Sequence, residues 1–181
     1  MNNNFKRISF IFTLCLIFMS HTVFAASSNI FKNEECGFSI GFPTTWLFLY
    51  DAETKRNVMA LNKQGPMALD LSIVQISKTT LLDFDNPKAD IFFTNLVVKI
   101  SKDLKMNLES MDKKEVAGKK AVLITLKNDR EYCHYYIFSH EENLYKLAFI
   151  SELKLRNEGI ETLNNILSTL NFSPSQNLTA Y

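Results

Sequence analysis

Residues 107–151 read NLESMDKKEVAGKKAVLITLKNDREYCHYYIFSHEENLYKLAFIS, and this stretch decides the fold. Apolar runs alternate with short polar breaks. Ala117-Gly118 separates 107–116 from 119–127 and predicts a hairpin. Asn128-Asp129-Arg130 leads into a strand over 131–139, and His140-Glu141-Glu142-Asn143 into another over 144–151. Strands joined by such short turns pair antiparallel. Within 131–139, alternation puts Tyr132, His134, Tyr136 and Phe138 on one face and Cys133, Tyr135 and Ile137 on the other. Large rings on both faces predict a central strand covered on both sides. The sharper alternative is an exposed aromatic patch, with Tyr132, His134 and Tyr136 as a candidate partner surface.

Toward the C-terminus, Ile160, Leu163, Ile166, Leu167 and Leu170 fall on one helical face and predict a helix over 156–170. The polar residues 173–181 are expected to be a flexible tail. Toward the N-terminus, Asp83-Phe84-Asp85-Asn86-Pro87 opens a second helix, with Asn86 as cap and Pro87 at the first position. Ala89, Phe92, Phe93, Leu96, Val97, Ile100 and Leu104 make its apolar face, and Lys99, Lys102 and Lys105 sit toward its negative end. Earlier still, 30–32 and 37–42 predict a hairpin ended by Pro43. Strands over 46–50, 56–62 and 67–77 follow, the last two separated by Lys63-Gln64-Gly65-Pro66. The expected architecture is α+β: an antiparallel sheet of about six to eight strands flanked by two main helices.

The chain begins with two positive charges, Lys6 and Arg7, followed by ISFIFTLCLIFM over 8–19. As a helix this run covers about 18 Å, short of the roughly 30 Å hydrocarbon core of a bilayer. Val23-Phe24-Ala25 then supplies small or modest side chains at the positions a signal peptidase reads. Residues 1–25 are therefore read as a cleavable leader, cut between Ala25 and Ala26. A cut after Ala26 would place Phe24 where a smaller side chain is wanted. An uncleaved anchor and a lipidated Cys15 are the alternatives; Leu14 before Cys15 is larger than a lipidation signal takes. The folded domain is 26–172, expected in the periplasm or secreted.

The full chain carries 20 Lys and Arg against 19 Asp and Glu. Lys6 and Arg7 leave with the leader, so 18 face 19 and the net charge becomes about −1. No strong field steers nucleic acid or an anionic membrane to it. No later apolar stretch approaches the length of a membrane span. Cys36 and Cys133 remain, and an oxidising compartment permits a disulfide between them. Two free, partly buried thiols are the other outcome.

Three segments carry a family resemblance. Asn33-Glu34-Glu35-Cys36-Gly37-Phe38-Ser39-Ile40-Gly41-Phe42-Pro43-Thr44-Thr45-Trp46 resembles the opening of PsbP-like domains, a Gly-Phe-Ser-Ile strand followed by Pro-x-x-Trp. Asn165-Ile166-Leu167-Ser168-Thr169-Leu170-Asn171-Phe172 is similar to their closing helix and final Phe. Val116-Ala117-Gly118-Lys119-Lys120-Ala121 is similar to the Gly-x-x-Ala turn before a central strand. The resemblance implies an antiparallel sheet with helices on its faces. It also implies a non-enzymatic role of the kind such domains fill as assembly factors, accessory subunits or small-GTPase partners. It carries over no catalytic set. Gly37, Phe38, Pro43 and Trp46 are its motif residues, and each also reads as a packing or backbone-shaping residue.

Metal binding would draw on His134, His140, Cys133, Glu131, Glu141 and Glu142. Zinc needs three or four converging ligands, and Cys133 and His134 point to opposite faces. No Gly-x-Ser-x-Gly or His-Glu-x-x-His occurs, and no clustered glycines form a phosphate loop. Asp83, Asp85, Glu34 and Glu35 read as turn and cap residues. Lys113, Lys114, Lys119 and Lys120 flank the Gly118 hairpin as a small basic knob or an ordinary solvated turn. No cofactor is expected. The resulting expectation is an exported, non-catalytic protein-binding or assembly factor of the cell envelope. An envelope metal-binding protein or enzyme, and a secreted effector, are the alternatives.

Overall fold

The structure is a computed structural model that describes residues 23–25, 29–76 and 87–173. The leader's charged and apolar segments, Ala26, the 83–86 helix entry and the tail beyond Ser173 lie outside the described residues. Four strands come early in the chain order: β1 (Val23–Ala25), β2 (Ile30–Asn33), β3 (Phe38–Gly41) and β4 (Trp46–Asp51). Next are β5 (Asn57–Asn62), β6 (Met67–Gln75) and helix α1 (Pro87–Leu104). A meander follows: β7 (Asn107–Val116), β8 (Lys119–Lys127), β9 (Glu131–His140) and β10 (Asn143–Glu152). A single 3₁₀ turn (Leu153–Leu155), helix α2 (Arg156–Ser168) and β11 (Asn171–Phe172) close the domain.

Eight strands form one sheet in the order β1-β4-β5-β6-β10-β9-β8-β7. Each described pair is antiparallel, as the short turns require. The predicted α+β architecture is the observed one. The β7–β8 hairpin turns at Ala117 and Gly118, both at positive φ (50° and 74°), the backbone of a tight two-residue hairpin turn. The sheet's two halves join where β6 meets β10, with Leu71 opposite Leu147 and Leu69 opposite Phe149.

Two cores sit on opposite faces of this sheet. On one face, Ala89, Phe93, Val97 and Ile100 of α1 cover Val122, Ile124 and Leu126 of β8 with Cys133 and Ile137 of β9. On the other, Leu163 and Ile166 of α2 pack with Leu69, Leu71, Phe138, Tyr145, Leu147 and Phe149. Fully burying one such side chain stabilises by about 1.5–3 kcal/mol. Trp46 stacks between Phe42 and Phe149, with centroids 6.4 and 6.3 Å away.

Two expectations are corrected. The β2–β3 hairpin does not join the main sheet; with β11 it forms a separate sheet of order β11-β3-β2, with Phe38 and Ile40 buried in the second core. The closing helix ends at Ser168 rather than at 170, where Thr169 Oγ1 donates to Ile166 O at 2.6 Å and accepts from Gly41 N at 2.8 Å. Cys36 and Cys133 are both free and buried. They lie in different cores, since alternation turns Cys133 toward α1 while Cys36 sits on the α2 side, and the sheet stands between the two thiols.

Candidate functional site

The β7–β8 hairpin, β9 and α2 enclose an open cleft of about 470 Å³. Its position follows from strand period. Lys114, Val116, Leu123, His134 and Tyr136 all project to the α2 side, with Lys114 opposite Ala121 and Leu123 opposite Tyr136. Ile160, Asn164, Leu167 and Ser168 recur at helical spacing and line the facing wall.

His134 is the chemically loaded member. It is 7% exposed, edge-on to Tyr132 at 5.4 Å and Tyr136 at 6.5 Å. Its Nδ1 is buried and has no hydrogen-bond partner. Burial holds the imidazole pKa below its ordinary value, Arg156 lowers it further, and Glu109 opposes both. The ring is therefore neutral near pH 7. A buried polar atom left without a partner costs about 1–3 kcal/mol, so its presence calls for an explanation.

Above His134, Glu109 ties the edge strand to α2. Its carboxylate accepts from Arg156 at 3.1 and 2.6 Å and from Lys127 at 2.7 Å. Those hydrogen bonds, Arg156 first, hold its pKa down to about 2. Cys133 cannot act here: burial pushes its pKa up to about 12, with Glu131 adding, and its side chain points to the other face. The arrangement suits binding: a neutral imidazole, a phenol and an ammonium above an apolar floor.

The residues singled out in the sequence fall in several places. Tyr132, His134 and Tyr136 are 0%, 7% and 7% exposed, so they are covered by α2 and present no open aromatic patch. Gly37 takes a positive φ of 63° and its carbonyl accepts from Ser173 N at 2.8 Å. Phe38 packs edge-on to Tyr145 at 5.7 Å, and Pro43 O accepts from Trp46 N at 2.9 Å. His140 lies 4.5 Å from the Phe172 ring. Among the described residues no three of His, Cys, Asp and Glu converge as metal ligands. The cleft itself was not foreseen. Lys114, His134 and Tyr136 are legible as strand residues, but nothing in their spacing announces that α2 lies across them.

A second surface stands out. Ile91 and Val98 of α1 are each 65% exposed, and Phe92, Leu108 and Met111 are also exposed. Ile91 and Val98 lie seven residues apart, on one stripe of the helix. Leu108 and Met111 pair opposite Leu126 and Ile124, which places them on the α1 side of the sheet. No helix among the described residues is long and apolar enough to cross a membrane.

The small sheet, the central meander and the two helices on opposite faces together match a known arrangement. Cyanobacterial PsbP (CyanoP) from Synechocystis sp. PCC 6803 superposes with a TM-score of 0.63 at 9% identity, over 80% of this chain and 91% of that one. The fold is PsbP-like. A protein of Bacteroides thetaiotaomicron superposes at 0.51 with 11% identity, over 82% of this chain and 49% of its own. LpqN of Mycobacterium tuberculosis, described as involved in cell envelope biogenesis, gives 0.48 with 10% identity over 84% and 91%. No protein-family model matches the chain, and no curated protein matches it by sequence. At these identities the PsbP likeness concerns the fold.

Proposed function

We propose that this PsbP-like chain is exported and acts without catalysis, by docking a partner protein in the cell envelope through the outer face of α1. The observation that carries the reading is the exposure of Ile91 and Val98 on one helical stripe. Exposed apolar side chains grouped this way on a folded domain mark interaction sites. Lys99 and Lys102 are exposed beside the stripe, so the partner has an apolar anchor with acidic residues around it.

Export rests on Lys6, Arg7 and the apolar run that follows them. A cut after Ala25 takes β1 away with the leader and leaves β4 as the sheet edge, because β1 pairs only through Leu49–Asp51 of β4. N-terminal sequencing of the protein recovered from the periplasm or medium tests this; the first residue is Ala26, and an uncut Met1 terminus overturns it.

Affinity purification from the envelope tests docking. The unaltered protein retains one reproducible partner, and I91D/V98D loses it while keeping its thermal midpoint within a few degrees. Equal retention by both proteins rules out this face.

A further inference from the structure

The cleft between β7–β9 and α2 takes no part in docking through α1, and its chemistry is specific enough to name a ligand class. Three features converge there. The floor is apolar, made by Val116, Leu123, Ile160 and Leu167. The volume, about 470 Å³, lies in the range of small-molecule sites. The polar residues on the walls are Lys114, His134, Tyr136, Asn164 and Ser168, with Glu115 at the rim.

Lys114 has no carboxylate partner among the described residues. Glu115, its neighbour, also lines the cleft, but it pairs opposite Lys120, and alternation turns its carboxylate toward the other face of β7. His134 lines the cleft more than nine-tenths buried, with Nδ1 sealed and unpartnered. Nε2, the other ring nitrogen, is not among the sealed unpartnered atoms. A neutral imidazole supplies one N–H donor. Tyr136 adds a phenolic hydroxyl on the same strand face.

We propose that this cleft binds a small amphiphilic monocarboxylate, its carboxylate facing Lys114, His134 and Tyr136 and its hydrocarbon part on Val116, Leu123, Ile160 and Leu167. One ammonium and neutral donors match a single negative charge. A phosphate dianion asks for more cations, of the Arg-fork kind, than the walls provide. An uncharged hydrocarbon would leave the polar groups desolvated and unpaired.

Octanoate is the probe, titrated into the leaderless chain and followed by NMR of the His134 and Tyr136 ring signals. Saturable shifts at both rings are expected. The His134 pKa rises on saturation, because a nearby carboxylate favours the charged imidazole. Octanol binds at least tenfold more weakly. Lys114→Glu weakens octanoate binding at least tenfold, and Asn164→Trp, at the exposed rim, fills the cleft and abolishes it. Both positions are solvent-exposed, and circular dichroism checks that each variant stays folded. Absent saturation at His134, equal affinity for octanol, or full binding by Lys114→Glu overturns the proposal.

Discussion

The Tyr132 hydroxyl occupies the space that a side chain on Gly159 would need. A Cβ at Gly159 would collide with that oxygen, which donates to Arg156 O at 3.0 Å. Tyr132 itself is fully buried. The glycine is thus a socket in the first half of α2, and it sets how closely the helix approaches β9.

Gly159→Ala tests that socket. In an open helix the change would stabilise by about 1 kcal/mol. Here a rigid buried ring must move, an overpacking cost of about 1–3 kcal/mol. Chemical denaturation should show a net loss of up to about 2 kcal/mol. A stabilised variant contradicts the packing described.

Glu109 anchors the other side of α2. Its carboxyl pKa is lowered in the folded state to about 2, so its contribution is present above the unfolded value near 4.5 and is lost as pH falls toward 2. The pair partners are well exposed, with Arg156 at 36% and Lys127 at 47%, and solvent screening limits the contribution to about 1 kcal/mol. Glu109→Gln should cost no more than that at pH 7 and nothing at pH 2. Adding salt should shrink the difference.

His134 adds a second loss on the acid side, in a higher pH window. Its folded pKa lies below the unfolded value, from burial and Arg156. The unfolded chain therefore binds the extra proton first, and stability falls as pH drops through about 6.5 until the folded pKa is passed. Facing charges are Arg156 of α2, Glu109 and Lys114 of β7; Tyr132 and Tyr136 flank the ring on β9. His140 shifts in the same direction and contributes part of the slope. Urea unfolding at pH 7.5, 6.5 and 5.5 should show a shallower decline for His134→Phe than for the unaltered protein. Identical slopes contradict a buried neutral imidazole.

The cysteines should behave as buried thiols. Burial pushes Cys133 to about 12 and raises Cys36, and a thiol held protonated is a poor nucleophile. Iodoacetamide should label neither in the folded protein and both in denaturant, and reducing agent should leave the melting temperature unchanged. A mass two daltons short of the reduced chain contradicts the separation of the cysteines across the sheet.

Local patterns carried much of this fold. The apolar spacing of Phe93, Val97 and Ile100 marked α1 and its buried face, and Ala117-Gly118 marked a hairpin whose dihedrals the structure confirms. Contacts between distant segments were not readable. Phe172 pairs with Phe38 across the whole domain, and β6 meets β10 after a helix and three strands; no turn residue encodes either. The same limit hid the cleft, which exists only because α2 returns across β7–β9. Face assignment in β9 was legible, and it already separated Cys133 from His134.

Partner docking through α1 is tested most directly by a photo-reactive amino acid placed at position 98 in living cells. A control carries it at position 157, exposed on α2. The account predicts one cross-linked envelope protein from position 98, absent from 157 and lost when Ile91→Asp is added. Cross-links of equal yield from both positions, or none from position 98, would contradict it.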